Sequence, residues 1–134
     1  MSSFSDFNQQ SDVRTDGEHQ IQLDMLSALC RAVRKSPPSA EVGEILERLV
    51  AYCEAHFMSE ELLMRLNSYD SYEEHVGEHI GLMDDLERIT SAHNSGNSGL
   101  LAEQADSVFK LIGQHIGTHD KRFSDFMAAG MQGK

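Results

Sequence analysis

The chain has 134 residues, 40% of them hydrophobic and 25% charged, which suits one soluble globular domain with enough length to bury a core. Lys and Arg number 11 against 22 Asp and Glu, and the net charge of −11 repels nucleic acid and anionic lipid surfaces. No apolar run approaches the ~18 residues of a membrane span, and the polar N-terminus MSSFSDFNQQSDVRTD lacks the basic and apolar regions of a secretory signal.

Residues 1–16 are polar and are expected to form a loosely packed arm ahead of a domain at 17–134. A first helix is predicted over about 18–35, with the apolar seam Leu23, Leu26, Leu29, Cys30 and Val33 and with His19 at its head. Pro37-Pro38 breaks the pattern. A second helix follows over 40–65, its seam Val42, Ile45, Leu46, Leu49, Val50, Cys53, Phe57, Leu63 and Met64 interrupted by His56 and Glu60. LNSYDS (66–71) ends it, and Ser71 with Glu74 reads as a capping box for the third helix, 71–93. That helix carries Tyr72, Val76, Met83 and Leu86, with His75 and His79 on the seam. After the turn HNSGNSG, a fourth helix over 99–120 carries Ala105, Val108, Phe109, Ile112, Ile116 and Phe123, with His115 and His119; the tail from Lys121 extends it. No segment alternates like a strand, and short connections favour antiparallel neighbours, so the expected fold is all-α, an up-down-up-down four-helix bundle. Cys30 and Cys53 lie on apolar faces and read as reduced core residues, which fits a cytoplasmic setting.

Polar residues thus interrupt all four seams. A buried carboxylate or imidazolium costs several kcal/mol unless it is paired. A lone core histidine is commonplace, but four interrupted seams meeting at one level point to a metal site. The stretches HFMSE and HVGEH put His56 with Glu60, and His75 with His79, one turn apart on a single face. Five or six imidazoles with one or two carboxylates exceed the needs of one tetrahedral zinc ion and suit two ions of iron or manganese. Residues Cys53, Tyr72, Val76 and Ile112 stand three positions before the candidate histidines, so the Glu-x-x-His pattern of ferritin-like oxygen-activating bundles is missing at these ligands.

The combination DGEHQ, HFMSEELLM, HVGEH and HIGTHD resembles the hemerythrins, above all the single-domain bacterial ones, over roughly residues 16–126. The resemblance implies two non-haem iron ions (Fe2+/Fe3+) with a bridging oxo or hydroxo group. It implies that His75, His79 and His115 hold one iron, that His19 and His56 hold the other beside an open position, and that Glu60 and Asp120 bridge them. It further implies end-on binding of O2 at the open iron as a hydroperoxide, with the bridging hydroxide supplying the proton. Phe57, Ile112 and Ile116 neighbour these ligands and are expected to wall a dry pocket. Leu111 replaces a frequent tryptophan, predicting a wider pocket there, and Asp70 replaces a frequent proline.

The fourth helix leaves a choice open. On a regular helix His119, four residues after His115, is the better placed ligand, whereas Asp120 is rotated by about 140°. The family pattern selects Asp120, which requires a local helix distortion or a ligand reached from the flank, and Asp120 is the expected ligand. Four glycines, Gly77, Gly81, Gly113 and Gly117, flank ligand histidines and point away from the metal; they read as tolerated surface positions or as sites of close approach. His93 reads as structural or exposed, and among the tyrosines only Tyr72 lies on a seam. The leading expectation is reversible O2 binding for storage, delivery or sensing, without enzymatic turnover. Its alternative is a di-iron peroxidase or a protein handling nitric oxide, for which a proton donor near the open iron is the discriminating feature. An iron reservoir and a purely structural bundle explain the histidines less well.

Overall fold

The computed structural model describes the backbone of residues 3–34 and 40–132, and the side chains of 17–34 and 41–130. Its elements are α1 (Ser3–Ala32), α2 (Ala40–Leu66), α3 (Tyr72–Asn94), α4 (Ser98–His115), a π turn (Ile116–Asp120) and α5 (Lys121–Gln132). Helix α1 packs on α2, α2 on α3, α3 on α4 and α4 on α1, closing a four-helix ring; α5 prolongs α4 and also meets α1. The described residues contain no strand.

The polar segment expected as an arm has helical backbone from Ser3 onward, continuous with α1. Nothing between Ser3 and Gly17 stops propagation, because that stretch holds no proline. The side chains of 1–16 and the Pro37-Pro38 break lie outside the described residues. Residues 67–71 form a tight corner with Ser68 at φ 51°. Ser71 precedes α3, but its side chain makes no capping bond; its carbonyl accepts the His75 N–H at 3.0 Å. Glu74, the other half of the expected capping box, instead accepts from Arg122 on α5 at 2.9 Å. At α4 a side-chain cap does form, from Leu100 N–H to Asn97 Oδ1 at 3.1 Å.

The core is two apolar clusters with a polar layer between them. The larger holds Leu26, Leu29, Leu46, Leu49, Phe57, Leu86, Ile89 and Ile112 among others. The smaller holds Leu63, Met64, Tyr69, Phe123 and Met127. In the chain order of α2 and of α4 through α5, the buried Glu60, His115 and Asp120 fall between these clusters. The seam of α3 differs from the expected one. His75, His79, Leu82, Leu86 and Ile89 are buried, while Val76 and Met83 are half-buried at its flank, because the three-four spacing from the histidines sets the phase. Phe109, expected in the core, is 39% exposed. Tyr69 is buried, with its ring against Phe123 and Phe126 at 5.0 and 4.9 Å, whereas Tyr72, expected on the seam, is half-buried beside it.

The four glycines beside the ligand histidines are exposed, and a Cβ at Gly77, Gly81, Gly113 or Gly117 would meet nothing within 4 Å. Among the described residues, no neighbouring helix uses them for close approach. Gly43 does serve that purpose: a Cβ there would stand 3.2 Å from His93 Nε2, which packs across from α3.

Candidate metal centre

Each helix delivers its polar side chains to one level because each spacing is a whole number of turns. His56 and Glu60 are one α-turn apart, as are His75 and His79. The fourth strand of the bundle solves the five-residue problem with the π turn. Residues i and i+5 align in a π turn, so His115 and Asp120 both point inward, His115 Nε2 standing 3.0 Å from Asp120 Oδ1. Lys121 N–H reaches back to Ile116 O, the bond that defines the widened turn. His119 is displaced outward as a result; its side chain is 20% exposed and faces Glu78 at 3.6 Å.

Seven side chains converge. Glu60, His75, His79, His115 and Asp120 form one group, and His19, His56, Glu60 and Asp120 form a second, with the donor atoms of each group within 4.8 Å of one another. Glu60 and Asp120 belong to both. Glu60, His56, His75, His79, His115 and Asp120 are buried, and His19 is the most exposed of the set, its side chain 12% accessible. All seven residues expected from the sequence are therefore in the cluster, and His119 is outside it.

Within the cluster His75 Nε2 alone makes aligned hydrogen bonds, to Glu60 Oε1 and Asp120 Oδ1, both at 2.9 Å, while other donor atoms are close without such alignment. His79 Nε2 lies 2.9 Å from Glu60 Oε1, and His19 Nε2 lies 2.9 Å from Asp120 Oδ2. Yet Nε2 of His19, His56, His79 and His115, Glu60 Oε2 and Asp120 Oδ2 are all buried and lack an aligned hydrogen bond. Buried polar atoms are almost always satisfied. Ligands about 2.1 Å from one ion and at right angles to each other are separated by about 3 Å. The short distances and missing alignments thus fit atoms aimed at shared ions, and the nitrogen-and-carboxylate donor set suits iron.

A ring of outer carboxylates fixes the imidazoles. His56 Nδ1 donates to Glu18 Oε1 at 2.7 Å, His79 Nδ1 to Glu61 Oε2 at 2.8 Å, and His115 Nδ1 to Glu78 Oε1 at 3.4 Å. Each carboxylate sits on the helix preceding that of its histidine, so α1 orients α2, α2 orients α3 and α3 orients α4. A proton held on Nδ1 leaves the Nε2 lone pair for a metal. Sequence reasoning missed these three glutamates. Their signal is that each directly adjoins a candidate ligand, in Glu18-His19, Glu60-Glu61 and Glu78-His79.

In the metal-free cluster protons supply the positive charge. Burial lowers the pKa of His19 and His75, but the Asp120 and Glu60 carboxylates beside them prevail and raise both to about 9. Burial likewise opposes ionisation of Glu60, yet His19, His75 and His79 hold it down at about 2. Asp120 is held well below the usual carboxylate range by His115, His19 and His75, again against the effect of burial.

The three expected pocket residues divide. Phe57 stacks on His79, ring centres 4.0 Å apart at 12°, and stands 5.8 Å from His56. Ile112 is fully buried in the larger cluster. Ile116 borders a cavity of about 200 Å³ whose wall includes His19, Glu60, Asp120, Phe123 and Ser124. Leu111 is 39% exposed and lines an outer groove between α3 and α4, away from that cavity.

Comparison with known proteins agrees with this geometry. Residues 13–126 match the model of the hemerythrin HHE cation binding domain. The chain belongs to the hemerythrin family. It is 26% identical over 114 residues to the bacteriohemerythrin of Methylococcus capsulatus (strain ATCC 33009 / NCIMB 11132 / Bath), covering 85% of this chain and 86% of the relative. No solved structure matches the chain. Hemerythrins are di-iron proteins that bind or sense O2, so the cofactor of this bundle is a pair of non-haem iron ions. No helix among the described residues is long and apolar enough to cross a membrane.

Proposed function

We propose that this hemerythrin binds O2 reversibly, as a store, carrier or sensor, and that residues 17–134 form the binding domain. The observation that carries this reading is the inequality of the two donor sets, five residues in one and four in the other, with two shared. One bridging hydroxide or oxide would complete six positions at the first ion and leave one position open at the second. In this assignment His75, His79 and His115 hold one iron, His19 and His56 the other, and Glu60 and Asp120 bridge. When bound and reduced, the iron pair supplies two electrons to O2.

The chain's own residues supply position and restraint. Glu18, Glu61 and Glu78 keep three imidazoles in the ligating tautomer. Phe57 and Ile112 exclude water on the side of the larger cluster, which slows protonation and hence irreversible oxidation. His19, the ligand most open to solvent, adjoins the 200 Å³ cavity, which offers a small ligand a route to the second ion. Buried, unpaired Cys30 and Cys53 support a reducing, cytoplasmic location.

A second reading, turnover of peroxide or nitric oxide, draws support from that same cavity, because Lys121 and Ser124 also line it and offer protons near the open side. The deciding experiment is optical. Iron-loaded protein is reduced without oxygen, exposed to air and returned to an oxygen-free atmosphere. A visible charge-transfer band that appears with air and vanishes on its removal is expected; direct and permanent conversion to the ferric state would favour turnover.

A further inference from the structure

Among the described residues, one buried polar side chain stands apart from the metal cluster: Gln22, 1% exposed on α1. Its amide nitrogen donates to Cys53 Sγ on α2 at 3.1 Å. Cys53 is itself fully buried, and burial pushes its thiol up to about 11, so the sulfur stays protonated and neutral.

The position of this pair matters. Gln22 lies three residues after His19, and Cys53 lies three residues before His56. Residues three apart on a helix are surface neighbours, about 5–6 Å between Cβ atoms. The rings of His19 and His56 are themselves 4.8 Å apart, edge to face. The Gln22–Cys53 bond therefore joins α1 to α2 one turn from the His19–His56 pair. Helical side chains lean toward the N-terminus of their helix, so Gln22 reaches back over the turn that carries His19.

A buried amide in an apolar layer is costly, and a leucine would pack there without that cost. A single bond to a weakly accepting thiol compensates little. The amide nitrogen carries two hydrogens; Cys53 takes one and leaves the other to donate.

We propose that Gln22 is a specificity-determining residue of the small-ligand site, its amide N–H donating to the outer atom of a ligand held beside His19 and His56 on the face toward the larger apolar cluster, where Cys53 lies. The assignment rests on the reading of that side as the open one. It favours ligands whose outer atom accepts a hydrogen bond, O2 reduced by the iron pair and azide among them.

Azide is the probe. Iron-loaded, oxidised protein is titrated with azide for the wild type, Gln22→Leu and Gln22→Met, the second variant keeping the unbranched length in case Leu disturbs the fold. Iron per chain and the melting of the metal-free form are measured for all three. Loss of the donor should raise the azide dissociation constant about tenfold in both variants while iron per chain stays at two. The vibrational band of bound azide should shift in D2O in the wild type and not in the variants. Wild-type affinity and an unchanged D2O shift in folded, iron-loaded Gln22→Met would overturn the role of Gln22 alone. A wild type that loads two irons but binds no azide would overturn the open side itself, and the Gln22 assignment with it.

Discussion

Asp120 and His119 are adjacent in sequence and opposite in placement. Asp120 is buried against His19, His75 and His115, whereas His119 meets only Glu78 and neighbouring rings at the edge of the cluster. Asp120→Ala is therefore expected to abolish stable loading of two irons, and His119→Ala to leave it intact, as measured by metal analysis after gel filtration. The reverse pattern would transfer the ligand role to His119. The outer carboxylates give a graded prediction. Glu61 accepts from His79 Nδ1 without belonging to either donor group, so Glu61→Ala should weaken iron affinity roughly 10–100-fold while saturation still reaches two irons. An unchanged affinity in a chelator competition would show that the carboxylate is a solvated surface charge.

At the scale of elements, the π turn decides the chemistry of the fourth helix. Five residues on a regular helix leave His115 and Asp120 about 140° apart; the widened turn at Ile116–Asp120 removes that offset. Its purpose can be separated from its sequence. Deleting Thr118, an exposed residue whose hydroxyl bonds to Gln114 O at 2.7 Å, would place the carboxylate four residues after His115 on an ordinary α-helix. The deletion is expected to retain two irons and a folded bundle, checked by metal analysis and circular dichroism. Loss of iron would mean that the turn does more than correct the helical phase. The capping box expected at the start of α3 is replaced by an ion pair: Glu74 meets Arg122 across the bundle end, and the Ser71 side chain makes no cap.

For the whole molecule, the metal is expected to contribute to the stability of the fold. Between two apolar clusters lies a layer of buried imidazoles and carboxylates in which Nε2 of His19, His56, His79 and His115, Glu60 Oε2 and Asp120 Oδ2 lack aligned partners. Removing iron should lower the melting temperature by on the order of 10 °C. The effect has a pH dependence with a definite sign. His19 and His75 are raised from 6.5 to about 9 in the metal-free protein, so the stability they contribute is complete below pH 6.5 and is lost as pH rises through about 9. Iron must displace those same protons, so its binding strengthens over the same range. The gap in melting temperature between loaded and metal-free protein should accordingly widen between pH 6.5 and 9. A gap that narrows would argue against protons and iron sharing these two nitrogens.

By itself the sequence determined the helical class, the bundle and the seven residues that meet in its core, because turn spacing and seam interruptions are local properties of the chain. At that level a regular helix favoured His119 and the family pattern selected Asp120; only the packed fourth helix, with α5 continuing it onto α1, shows the π turn that brings Asp120 inward. Partners across helices were equally invisible. Glu18, Glu61 and Glu78 resemble ordinary surface charges until the next helix presents a histidine to each, and Gln22 reads as a polar surface residue until α2 brings Cys53 against it. Spacing along one helix fixes which residues share a face. Which face meets which neighbour, and at what height, depends on the relative rotation and offset of the helices, and those are set by the packing of the whole bundle.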